Sequence, residues 1–190
     1  MKKLLLCIFA VTFAAHASSG PKAPVTIRLH SPGNPNEGES FVRPVKVGFS
    51  REDFYIAKVP IISEKNIERI FLFQAADGTF GVTLALDTAG AQRIDEATSR
   101  ERDAIILALV GHPGGQGRVA SAMRVDRRIN NGIVTIASGL TEVEKLALQA
   151  RYPTIGKERE FREMQKEARA EKKRLAKANA AAAKQNRSNQ

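Results

Sequence analysis

The chain has 190 residues, 30 basic and 20 acidic side chains, a net charge of +10 and 43% hydrophobic content. One Cys and no Trp exclude a disulfide scaffold and a cysteine zinc site, and no apolar run reaches the roughly 20 residues of a membrane-crossing helix. One ordinary domain with additions fits these figures.

Residues 1–17 read as a secretory signal. Lys2 and Lys3 precede the apolar run Leu4 to Ala15, and the small residues Ala15 and Ala17 flank His16, with cleavage after Ala17. Cleavage removes Cys7, the only thiol, and sends the mature chain to the periplasm or outside.

Residues 18–62 read as linker and short strands. Val25, Ile27 and Leu29 alternate with Thr26 and Arg28, the stretch His30 to Ser40 is dense in Pro, Gly and Asn, and Pro44 confines the segment Phe41 to Val47 to a sheet edge. A third strand over Phe54 to Val59 stops at Pro60.

Residues 63–152 carry the clearest pattern. Ile70 to Phe73 is a strand core, Asp77-Gly78 a tight turn, and Phe80, Val82, Leu84 and Leu86 alternate strictly as a half-buried strand. Thr88 to Arg100 follows as a helix, capped by Asp87 or Thr88, with Ala91, Ile94 and Ala97 inward. Ala104 to Val110 is apolar throughout, as a central strand would be. After the Gly-rich loop Gly111 to Gly117 come a strand to Val125, a turn at Asn131-Gly132 and a strand over Ile133 to Ala137. Thr141 and Glu144 form a capping box for a helix whose Val143, Leu146, Ala147 and Ala150 share one face. That order predicts an α+β fold: a two-layer, antiparallel-rich sheet with two helices on one face, plus a charged C-terminal helix.

The charge is uneven. Residues 18–150 hold 16 basic and 15 acidic side chains, whereas residues 151–190 hold 12 and 5. The tail, 153–190, is rich in Ala, Lys, Arg and Glu and reads as a solvated helix fraying into disorder. Its coiled-coil stripe of Phe161, Met164, Ala168 and Leu175 is thin and is broken by Glu171. Lys166, Arg169, Lys172, Lys173, Arg174 and Lys177 are candidates for binding an anionic membrane or cell-wall surface. A near-neutral domain does not have the basic footprint of a nucleic-acid binder.

The catalytic patterns are each missing a member. His30 and His112 lie in Pro/Gly-rich stretches without further ligands, so they read as solvated loop histidines. The loop Gly111 to Gly117 is followed by Arg118-Val119 rather than the Lys-Ser/Thr of a phosphate loop, and no Gly-x-Ser-x-Gly elbow occurs. No catalytic, cofactor or metal site is expected, and the chain does not read as an enzyme.

The run Val82-Thr83-Leu84-Ala85-Leu86-Asp87-Thr88-Ala89-Gly90-Ala91, then Ile94 and Ala97-Thr98, resembles the head subdomain of the large periplasmic domain of SecD and SecDF. Ala104 to Val110, Val119 to Ala122, Asn130-Asn131-Gly132 and Ile136 to Thr141 with Glu144 and Leu146-Ala147 extend the resemblance over about residues 63–150. Gly90, Ala91, Thr98, Gly132, Gly139 and Thr141 are its motif positions. Met123 stands where the family usually has Pro, the Gly111 to Gly117 loop is longer, and the family's base subdomain and transmembrane helices are not matched. The resemblance implies a non-enzymatic, protein- or unfolded-polypeptide-binding domain in the periplasm, without a translocation motor. Strand addition at an exposed sheet edge would be its means. The alternative is an envelope or cell-wall attachment module acting through the basic tail.

Overall fold

A computed structural model describes residues 25–46, 53–100, 103–112 and 117–188. Ala15, Ala17 and residues 113–116 of the Gly-rich loop lie outside them. Five strands precede or open the main motif: β1 (Thr26–His30), β2 (Val42–Lys46), β3 (Asp53–Ala57), β4 (Ile67–Gln74) and β5 (Phe80–Leu86). Then come α1 (Thr88–Arg100), β6 (Ala104–Gly111), β7 (Arg118–Val125), β8 (Ile133–Leu140), α2 (Glu142–Arg151) and α3 (Glu158–Ser188). The fold is α+β with a C-terminal helix, as the sequence order implies.

The strands divide into antiparallel sheets of order β1-β6-β7 and β4-β5-β8, with β2 and β3 a separate hairpin. Residues 18–62 thus do more than link. β1 pairs with β6 along its whole length, from Thr26 opposite Gly111 to His30 opposite Leu107. Ile27 and Leu29 are fully buried in the same core as Ile70, Leu84, Ile94, Ile106, Ile136 and Leu148. Each such side chain contributes about 1.5–3 kcal/mol on leaving water. β6 is the central strand of its sheet, buried from Ile106 to Val110. A smaller cluster of Ile56, Leu107 and Leu109 seats the hairpin on its other face.

His30, His112 and the inward face of α1 depart from the sequence reading, His112 because its ring bonds the buried Glu144 carboxylate. His30 is not a solvated loop histidine: β1 runs on to include it, leaving it 2% exposed. Its Nδ1–H donates to the Ala57 carbonyl at 2.8 Å, and burial, with Arg43 and Arg28 nearby, lowers its pKa. In α1 the inward face is Gly90, Ile94 and Thr98, one step from the expected stripe. Thr98 can be buried because its hydroxyl donates to the Ile94 carbonyl at 2.7 Å and accepts from the Ile129 amide at 2.9 Å. Asp87 is the residue that caps α1, accepting the Gly90 amide at 2.6 Å.

Candidate functional site

β4 is the outer strand of its sheet, so one row of its backbone groups has no strand beside it. The chain covers that row in one place. Pro153 to Ile155 run alongside, with Ile70 N–H donating to Pro153 O at 2.9 Å and Ile155 N–H donating to Ile70 O at 2.8 Å. Backbone groups on one edge recur at every second residue, so Leu72 and Gln74 also point outward. Among the described residues neither has a hydrogen-bond partner on that edge.

Side chains make the open stretch apolar. Opposite residues in the β4–β5 register share a sheet face, which puts Leu72 with Val82 and Phe80 with Gln74 on the helix side. Phe71 and Phe73 project from the other side, stacked with centroids 6.5 Å apart, and Phe71 is 49% exposed. Phe73 lies over Gly81, where a Cβ would collide with its ring. A hollow of about 300 Å³ wraps this edge, lined by Phe71, Leu72, Phe73, Phe80, Lys145 and Gln149 among others. Lys145 closes one wall with its ammonium 4.0 Å from the Phe80 ring centre.

A second hollow of about 390 Å³ shares Gln149 and Thr154 with the first and continues between α2 and α3, floored by Leu146, Ala150, Phe161 and Met164. Its apolar floor exists because α2 is rotated part-way from the expected face: of Val143, Leu146, Ala147 and Ala150, only Ala147 packs against the core. Val143 and Leu146 are exposed, while Glu144 and Leu148 are buried. Glu144 is on the buried side with Leu148. Its carboxylate is fully buried and accepts from Arg118 Nε at 3.0 Å, from the Thr141 amide at 2.8 Å and lies 2.8 Å from His112 Nε2. Thr141 returns the cap by accepting the Glu144 amide, completing the expected box. Burial pushes the Glu144 carboxyl up, but the hydrogen bonds and charge of Arg118 and the bonds to Thr141 outweigh it and leave it below 4.5.

The motif residues of the family resemblance lie elsewhere and hold the fold together. Ala91 packs over Gly132, and Gly90 packs against Asn66. Gly139 adopts φ 105° where β8 crosses β7, and a Cβ there would strike the Ala120 carbonyl. Its own carbonyl accepts from Arg118 at 2.7 Å. Of the tail candidates, Lys166, Arg169, Lys173 and Lys177 fall on one side of α3 at 3.6 residues per turn, whereas Lys172 and Arg174 fall outside that row. No group of three or more metal-ligating side chains occurs among the described residues.

No family model and no curated protein matches the chain. Solved structures similar to it include two of SecDF. The first, described as a membrane component that enhances protein export, is 14% identical with a TM-score of 0.43 and matches 65% of this chain. The second, SecDF in a super-membrane-facing form, is 16% identical with a TM-score of 0.40 and matches 64%. The chain covers 59% of the first and 17% of the second, less than two thirds of either. SecDF is the family expected from the sequence over about residues 63–150. Among the described residues no helix is long and apolar enough to cross a membrane. What this chain does has to be argued from its own surface.

Proposed function

We propose that the protein is a non-enzymatic, extracytoplasmic domain that binds extended polypeptide segments at the outer edge of β4. The observation that carries this reading is the unpaired row at Leu72 and Gln74, set beside Phe71, Phe73 and Phe80. A strand added there gains main-chain hydrogen bonds whatever its sequence, and its alternate side chains enter the two connected hollows. The segment Pro153 to Ile155 already occupies the neighbouring site on the same edge, so the chain itself shows the geometry a guest strand would continue.

The test is to titrate the protein with an unfolded secreted polypeptide and follow backbone amide shifts. Shifts should concentrate at Leu72 to Gln74 and around Gln149. Gln74→Pro removes an outward N–H without touching the β4–β5 ladder, so binding should drop at least tenfold while the fold is kept. Amide shifts confined to other strands, or full affinity in Gln74→Pro, would reject the proposal.

A second reading concerns the tail. α3 is exposed at every position from Arg162 to Asn179, and from Lys172 onward its sequence has no acidic residue. An arm of that kind suits attachment to anionic material.

A further inference from the structure

α3 sorts its side chains into three stripes. At 3.6 residues per turn, Arg159, Arg162, Lys166, Arg169, Lys173 and Lys177 fall within an arc of roughly 80°. Glu160, Glu163, Glu167 and Glu171 form a second stripe, and Phe161, Met164, Ala168 and Leu175 a third. The apolar stripe begins against α2 in the hollow floored by Leu146 and Ala150. The basic row lies on nearly the opposite side of the helix, and all six of its members are exposed.

This arrangement is costly for a helix standing alone. A solitary charged helix gains by placing opposite charges three or four residues apart. Here Arg159–Arg162, Arg162–Lys166, Lys166–Arg169, Arg169–Lys173 and Lys173–Lys177 are all like-charge neighbours at those spacings, and Glu160–Glu163, Glu163–Glu167 and Glu167–Glu171 repeat the pattern in the other sign. Among the described residues of α3 the only ion pair within the helix is Arg159–Glu163 at 3.4 Å. Arg159, Arg162 and Lys166 each have a glutamate three or four positions away, but Arg169, Lys173 and Lys177 have none, and a counter-charge laid along that part of the row stabilises it.

The shape of the row says which counter-charge. It rises 18 residues from Arg159 to Lys177, about 27 Å at 1.5 Å per residue, with one charge every 4.5–6 Å or so. A flat anionic bilayer would meet the acidic stripe as well, because the helix is about 10–12 Å across and the screening length at physiological salt is about 8 Å. Nor could the apolar stripe insert while the basic row touched headgroups. A single flexible chain can follow the row alone. Resting on the reading of the tail as an anionic attachment arm, we propose that the Arg159–Lys177 row of α3 binds a linear phosphate polymer lengthwise. Arg159, Arg162 and Arg169 would grip phosphate oxygens with paired N–H donors, and the lysines would supply point charge between them.

The test uses the whole protein, inorganic polyphosphate of graded chain length and phosphatidylglycerol vesicles. Affinity for polyphosphate should rise with chain length and level off once the chain spans about 27 Å. The logarithm of the affinity should fall linearly with the logarithm of salt, losing about 0.7–0.9 of slope for each row residue changed to Gln. The decisive variant keeps composition and net charge but scatters the row by exchanging neighbours: Gln165→Lys with Lys166→Gln, Ala168→Arg with Arg169→Ala, and Lys177→Ala with Ala178→Lys. It should bind polyphosphate at least tenfold more weakly, with α3 helicity by circular dichroism unchanged. Equal binding by the scattered variant would overturn the lengthwise row, as would vesicles competing as well as polyphosphate at equal phosphate concentration. Failure of the parent protein to bind either probe would instead reject the attachment arm itself.

Discussion

Glu144 shows how one residue decides what a surface becomes. A carboxylate with no exposed surface would be prohibitive alone, but Arg118, the Thr141 amide and His112 surround it. The capping box is legible in the sequence because its two members are three residues apart. The Arg118–Glu144 pair is not, since 26 positions separate them and nothing local distinguishes Arg118 from any other strand-end arginine. Glu144→Gln puts an amide N–H₂ among donors and should cost about 2–3 kcal/mol at pH 7. The pH dependence gives a sharper check. The folded carboxyl titrates below its ordinary 4.5, so its contribution is complete above that value and is lost as pH falls through the folded pKa. Urea denaturation of the parent and Glu144→Gln should therefore give a stability gap that is widest near neutrality and closes in acid. A gap that stays constant down to pH 3 would show that the charge of Glu144 is not its source.

At the level of elements, periodicity read most of the chain correctly where a strand or helix meets one core. β5 forms where expected, although Gly81 and Ala85 are buried along with Val82, Leu84 and Leu86 because it lies between β4 and β8; α1 spans Thr88 to Arg100, and β6 is buried along its middle because it has sheet on both edges. It held only in part at α2, where the expected face was Val143, Leu146, Ala147 and Ala150: Ala147 packs against the core, and the other three are exposed. Glu144 is buried against Arg118 on the same side as Leu148, which enters the core, while Leu146 floors a hollow. The clue was present in the tail: Phe161 and Met164 are apolar residues with no place in the main domain's pattern, and they meet that stripe. Two leucines two positions apart should accordingly behave in opposite ways. Leu148→Ala should destabilise the protein by about 2–4 kcal/mol in chemical denaturation, as a cavity in a packed core does. Leu146→Asp should change stability by no more than about 0.5 kcal/mol, yet weaken polypeptide binding severalfold by placing charge in the groove. A large loss of stability in Leu146→Asp would mean that α2 packs on its expected face after all.

At the scale of the whole molecule, the boundary between globule and tail falls later than composition suggests. Charge changes near residue 151, yet the chain remains tied to the globule as far as Glu158. Tyr152 is 6% exposed and its hydroxyl donates to the Glu64 carbonyl at 3.0 Å, Arg151 donates to the Val25 carbonyl, and Arg69 pairs with Glu158 at 3.1 Å. Between them Pro153 to Ile155 cover Ile70 on the β4 edge. Composition could not reveal this strap, because backbone hydrogen bonds to an edge strand demand no particular side chains. Two truncations separate strap from arm. Ending the chain after Gln165 removes most of the basic row but leaves the strap, so thermal stability and polypeptide binding should stay close to those of the parent. Ending it after Tyr152 strips β4 of the cover it has among the described residues and exposes paired groups at Ile70 beside Leu72 and Gln74. A longer bare edge rich in Phe recruits other strands, so this form should melt several degrees lower and elute as oligomers in size-exclusion chromatography. If both forms were equally stable and monomeric, the strap would be dispensable, and the edge at Leu72 and Gln74 could not owe its readiness for a guest strand to the cover that Pro153 to Ile155 give Ile70 beside it.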